Sequence, residues 1–309
     1  MYLSALLREQ LRPKVPVSPG IARKDELCPR PLTFVVMRVA IVAMRSFSSL
    51  LLALFLAGCA SNATRIETLA STLGLSRSVL EAGGFRSLLY MRSAGGPADA
   101  PLAIFIEGDG VPWRGGTEPS LDPTTRNPLA LKLLAQTPAP AAYVSRPCYQ
   151  EMTGPGCTPE RWTMQRYSDE VVSSMTAAVR TAAARANAPK VVLVGYSGGG
   201  VLAVLIAERL DNVAAVITVG ADLDIDAWTQ HHGYLPLTGS LNPASSTAAH
   251  PWPETHLYGA RDAIVPVATT AAYFARFPRA QRKVMDDYDH VCCWVEHWPA
   301  LWREIRSAP

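Results

Sequence analysis

The sequence predicts an α/β protein, a mostly parallel, doubly wound sheet flanked by helices, and three observations carry that expectation. Short apolar runs recur over residues 102–106, 141–145, 191–194 and 213–219. Stretches of helical apolar pattern separate them, and Gly, Pro and Asp close most of the runs. Runs that are apolar throughout, rather than alternating, belong to strands buried on both faces, and strands separated by helices pair in parallel. With 309 residues, 49% of them hydrophobic and 18% charged, the chain is long enough for a full core in one large domain. A net charge of +3, with no basic run and no basic-aromatic interleaving, gives no footing for nucleic-acid binding.

Residues 1–58 stand apart from this pattern. Met44-Arg45 opens a positive segment, 50–56 is apolar, and Leu56-Ala57-Gly58-Cys59 closes it with small residues before a cysteine. This resembles a bacterial lipoprotein signal, and the resemblance implies that Cys59 becomes the lipidated first residue of a chain anchored in the envelope, facing the periplasm. The run between Arg45 and Cys59 is too short to span a bilayer. Residues 1–36, with five scattered prolines, look like neither leader nor domain, and an over-extended start codon is the plainest reading. The expected division is therefore 1–58 leader, 59–84 anchor linker and 85–309 folded domain.

Within the chain, composition permits a short helix over 62–80, then a strand over 85–91 and a turn at Gly95-Gly96-Pro97. Beyond the runs already named, strands are expected over 255–258 and 283–285. Helices are expected over 127–136, 164–186, from Gly198 to about 210, over 267–277 and over 293–305. A Pro-rich excursion occupies 222–253. Export to an oxidising compartment makes disulfides durable. Cys148 and Cys157 flank a polar, turn-rich loop, and a bridge there would add about 2–3 kcal/mol. The adjacent Cys292 and Cys293 have two readings, a vicinal disulfide or two buried thiols in a first helical turn. Cysteines and histidines show no zinc-like spacing, so no metal is expected.

The chemistry concentrates at strand ends, where doubly wound sheets bind ligands. Gly195-Tyr196-Ser197-Gly198-Gly199 fits G-x-S-x-G, between a buried strand and a helix, which presents a serine hydroxyl at the tip of a strained turn. A glycine-rich turn whose serine merely caps the helix is the alternative. A serine nucleophile needs a base, and the base an orienting carboxylate. Downstream, Gly259-Ala260-Arg261-Asp262 and Asp289-His290 each follow an expected strand. Asp222 and Asp224 are substitutes for Asp262, and His297 for His290, though His297 falls inside the last helix. His256 reads as a satisfied strand residue, and His231, His232 and His250 as solvated loop residues.

From about residue 102 to 306 the chain resembles an α/β-hydrolase. The elbow, the Gly259-x-x-Asp262-x-x-Val265-Pro266 turn and the Asp289-His290 end carry that resemblance, in the chain order Ser, Asp, His. It implies Ser197 as nucleophile, His290 as general base and then acid, and Asp262 as the group that orients the imidazole. It also implies a monomer acting on a small acyl substrate, with no cofactor. The oxyanion donors would be the backbone N–H of Gly198 and that of Asp109. Where lipases often carry His-Gly, this chain has Glu107-Gly108-Asp109-Gly110, whose carboxylates must turn away from a developing oxyanion, toward Arg114 or Arg146. Trp228, Tyr234, Trp252 and Trp162 are expected either over the pocket, as a lid or acyl wall, or as core beneath their loops. Ester, thioester and amide substrates are not separated by these features. A non-catalytic lipoprotein that reuses the scaffold for binding is the competing class, but it would have little reason to keep all three residues.

Overall fold

The computed structural model describes residues 61–92 and 99–307. The leader, Cys59 and the Gly95-Gly96-Pro97 turn lie outside the described residues. The first helix, α1 (Asn62–Thr72), starts at Ser61, whose hydroxyl accepts the Thr64 N–H. It stops at Gly74, which takes a left-handed φ of 67°. Strand β1 (Ser76–Ala82) then turns through Gly83-Gly84 into β2 (Phe85–Arg92), antiparallel to it. The helix expected over 62–80 is therefore only half helix, because the Gly74 stop and the pairing with β2 claim the remainder. The expected linker over 59–84 is likewise corrected. Ile66 and Ala70 are fully buried and β1 forms an edge of the main sheet, so the chain from Ser61 onward is part of the domain.

Next come β3 (Leu102–Ile106) and a two-residue hairpin, β4 (Trp113–Arg114) and β5 (Glu118–Pro119), closed by Gly115-Gly116. The chain continues through α2 (Leu129–Ala135), β6 (Ala141–Val144), α3 (Asp169–Arg185) and β7 (Val191–Tyr196). After α4 (Gly198–Ala207) and β8 (Val213–Val219), the Pro-rich excursion holds a helix that the sequence reading did not expect, α5 (Ile225–His232). Asp224 caps that helix by accepting the Ala227 N–H at 3.2 Å. The chain ends with β9 (Glu254–Gly259), α6 (Ala271–Arg276), β10 (Gln281–Met285) and α7 (Trp294–Ser307).

Eight strands form one sheet in the order β1-β2-β6-β3-β7-β8-β9-β10. Every described pairing from β6 to β10 is parallel, and β2 alone runs against its neighbours. Alternation sends Leu102, Ile104 and Ile106 of β3 to one face and Ala103 and Phe105 to the other. The first face is covered by α3 and α4. The second is covered by α1, α2 and α7, with Trp294 and Trp298 fully buried. Covering both faces is what allows the central strands to be apolar throughout. Helix α4 is buried on every side, which explains why it shows no amphipathic pattern.

Helix α3 begins five residues later than expected. Ser168 accepts the Val171 N–H and Asp169-Glu170 fill the first turn, so residues 164–167 remain outside the helix. Cys148 and Cys157 are bonded. Cys292 and Cys293 are bonded to each other, with Cys292 exposed and Cys293 half-buried, so the reading as two buried thiols is set aside.

Candidate active site

Ser197 sits between the end of β7 and the start of α4 at φ 52°, ψ −129°, a backbone conformation costly for a residue with a side chain. The turn is this tight because its neighbours lack side chains. A Cβ on Gly195 would lie 2.3 Å from the Gly199 carbonyl oxygen, and one on Gly199 would lie 2.3 Å from that of Ile106. The loop after β9 supplies Asp262 and the loop after β10 supplies His290. Asp262 Oδ1 accepts the N–H groups of Ile264 and Val265 at 2.9 and 2.8 Å, which aims Oδ2 at His290 Nδ1, 2.8 Å away. His290 Nε2 lies 3.1 Å from Ser197 Oγ. The three residues expected to meet do so, at the carboxyl ends of three parallel strands.

The substitutes do not reach this group of residues. Asp224 is the α5 cap. Asp222 is buried with Oδ1 unpartnered among the described residues, and burial, with Asp109 nearby, pushes its carboxyl up to about 8. His297 is bonded to the Tyr288 hydroxyl. His256 is the satisfied strand residue expected, between Thr218 Oγ1 at 2.8 Å and Glu254 at 3.1 Å. His250 is a correction. Its side chain is 4% exposed, stacks on Phe277, and lies between Glu208 and Glu254, with Nε2 3.0 Å from Glu208. Burial alone would lower its pKa, but the two carboxylates outweigh it and hold the ring at about 9.

The two carboxylates of the loop after β3 are both turned into protein. Glu107 Oε1 accepts the Ala130 N–H at 3.2 Å, serving the start of α2, where Pro128 offers no side-chain cap. Burial raises its carboxyl to about 7, against the lowering effect of those N–H bonds. Asp109 is gripped by Arg146, by Arg166 at 2.6 Å and by the Tyr167 hydroxyl at 2.9 Å. Burial would raise this carboxyl, yet Arg166 and Arg146 prevail and hold it at about 2. Arg114 instead pairs with Glu118. The Asp109 carbonyl accepts the Tyr149 hydroxyl at 3.0 Å, and a Cβ on Gly198 would run into Asp109 Oδ1 and the Tyr167 hydroxyl. One cluster thus fixes both backbone segments expected to supply oxyanion donors. Among the described residues, neither the Gly198 nor the Asp109 N–H donates to another group. Arg166, Tyr149 and Tyr167 were not anticipated. The Ser168-Asp169-Glu170 start signal would have freed Arg166 and Tyr167 from the helix.

These residues border a cleft of about 870 Å³. Its walls include Trp113 of the β4–β5 hairpin, Met164, and Trp228, Tyr234 and Leu235 of the excursion. Trp228 and Tyr234 meet the expectation of a pocket wall. Trp252 packs against the core and Trp162 is buried with its indole N–H on the Ser120 carbonyl, so those two do not.

None of the curated proteins matches the chain. Residues 155–272 match the dienelactone hydrolase family, a segment that contains Ser197 and Asp262 and ends before His290. Among solved structures, the chain is similar to the esterase Pf2001 of Pyrococcus furiosus, with a TM-score of 0.55 and 13% identity over 76% of this chain and 90% of that one. It is similar to Est1E of Butyrivibrio proteoclasticus, with a TM-score of 0.51 and 14% identity over 74% and 97%. An Agrobacterium tumefaciens protein of unknown function, provisionally assigned to the alpha/beta hydrolases, gives 0.53 and 12% over 75% and 97%. With the parallel sheet, the single reversed strand and the strand-turn-helix at Ser197, these likenesses establish that the chain has the α/β-hydrolase fold.

Proposed function

We propose that the protein is a serine-dependent carboxylic ester hydrolase acting through an acyl-enzyme. The observation that carries this reading is the unbroken line from Asp262 Oδ2 through His290 to Ser197 Oγ, at 2.8 and 3.1 Å. Ser197 Oγ attacks the ester carbonyl while His290 Nε2 takes its proton. Asp262 keeps the other ring proton on Nδ1 and stabilises the imidazolium. The carbonyl oxygen gains negative charge in front of the free N–H groups of Gly198 and Asp109, the first of them at the positive end of α4. Collapse of the adduct expels the alcohol, protonated by His290, and water then repeats the sequence on the acyl-enzyme. The esterase name of Pf2001 and the dienelactone hydrolase match support the same reaction class. The proposal also keeps Cys59 as a lipid anchor in the bacterial envelope.

Labelling with a fluorophosphonate tests the nucleophile. The wild-type chain is expected to be labelled and Ser197→Ala is not. A folded wild-type protein that stays unlabelled overturns the reading. For the anchor, Cys59→Ser is expected to move the protein from the membrane to the soluble fraction.

A further inference from the structure

Six large apolar side chains stand exposed among the described residues: Leu121, Tyr234, Leu235, Ile264, Val284 and Val291. Four of these, Tyr234, Leu235, Ile264 and Val291, line the one cleft that holds Ser197 and His290, at 56, 70, 53 and 49% exposure. They come from three separate segments, the end of α5 and the loops that carry Asp262 and His290. Single exposed apolar residues need no explanation, but a group gathered around one opening does.

The charge at this opening narrows what it can face. Apart from His290, bonded to Asp262, the charged side chains of the lining are Asp109 and Arg166, which are ion-paired with each other. The lining thus offers an anionic surface no unpaired cation, whereas its exposed apolar side chains would be matched by an uncharged apolar one. Trp228 and Tyr234, in edge-to-face contact at the rim, are the amphipathic rings suited to a boundary between water and hydrocarbon. The first described helix is tied to a segment next to this lining. The Asn62 side chain donates to the Thr124 carbonyl, and the next residue, Thr125, lines the cleft.

We infer that the mouth of the cleft docks on an uncharged lipid surface and that the acyl chain of the ester substrate enters the cleft from it. This rests on the hydrolase reading above. The substrate class is then a long-chain acyl ester, not a small polar one.

The test separates docking from turnover. The full chain carrying Cys59→Ser and Ser197→Ala is floated with phosphatidylcholine vesicles, with and without the added pair Tyr234→Ser and Leu235→Ser. Moving two such side chains out of contact with hydrocarbon is expected to weaken partitioning about tenfold or more, and added salt is expected to leave the binding unchanged. Leu235→Phe is expected to keep it, and equal urea midpoints show that the variants fold. Equal partitioning of the two chains overturns the inference. So does binding confined to anionic vesicles and lost in salt, or a rim-dependent dimer in sedimentation, which would make the occupant a second copy. In the Ser197-containing chain, the ratio of hydrolysis of long-chain to acetyl esters is expected to fall with the same pair. Fluorophosphonate labelling without any effect of the pair sinks the docking alone, while rim-dependent partitioning without labelling sinks the hydrolase reading alone.

Discussion

Asp109→Asn tests the packing that sits behind the proposed oxyanion donors. The substitution keeps the shape of the side chain and removes the one negative charge shared by two guanidinium groups that are 1% and 5% exposed. Holding this carboxyl at about 2 instead of its ordinary 3.8 corresponds to about 2.4 kcal/mol of folding free energy. Breaking a buried pair costs about 3–5 kcal/mol, because the remaining charge is left uncompensated. The expected loss at neutral pH is therefore about 2.5–4 kcal/mol, read from urea midpoints. The sign with pH follows from the lowered value. The stabilisation is present above the unfolded carboxyl's 3.8 and is lost as pH falls through about 2, so wild type and variant should converge in acid. A difference below about 0.5 kcal/mol at pH 7, or one that persists undiminished to pH 2, would refute the reasoning. Tyr149→Phe is the companion variant. It removes only the hydroxyl on the Asp109 carbonyl, at about 1 kcal/mol, and is expected to lower kcat more than it changes KM.

Three further outcomes follow from the geometry. Glu107 keeps its proton to about pH 7 in the folded chain but only to about 4.5 when unfolded, so stability should fall across that window. Glu107→Gln should flatten that part of the profile by up to about 3 kcal/mol, and identical slopes in urea titrations at several pH values would contradict it. Gly220, at φ 58°, would place a new Cβ 3.2 Å from His290 Nδ1 and 3.3 Å from Asp262 Oδ2. Gly220→Ala should cost about 1 kcal/mol in backbone strain and lower kcat by more than that loss explains, measured by ester hydrolysis beside thermal unfolding. Replacing both Cys148 and Cys157 by Ser should cost about 2–3 kcal/mol, with a mass map of non-reduced peptides showing the bridge in the parent chain.

The amino-acid order alone decided a good deal. The strands over 102–106 and 213–219 fell where expected, because a run of apolar residues with Gly, Pro or Asp beyond it leaves few other conformations. The elbow, Asp262 and His290 were legible for a related reason: each is a local signal at the end of such a run. What failed were segments whose conformation is set by distant partners. Strand β1 buries only Leu80 of its seven residues and lacks a strand-like apolar pattern, and it exists because β2 pairs with it. Residues 164–167 look helical, and although the Ser168 cap is a local signal that starts the helix after them, nothing local shows that Arg166 and Tyr167 then meet a carboxylate 57 and 58 positions away.

The residue types, their order and their places at strand ends therefore determined that a hydroxyl, an imidazole and a carboxylate would face one rim. Only the tertiary structure decided what surrounds them. It paired Asp109 with two buried arginines, turned Glu107 into the cap of α2, sank His250 between two glutamates, and gathered Tyr234, Leu235, Ile264 and Val291 around a single opening. The reason is physical. Backbone propensity and burial period act over a few neighbouring residues and can be read along the chain, whereas a charge, a cavity wall or an exposed patch is a property of groups brought together across it.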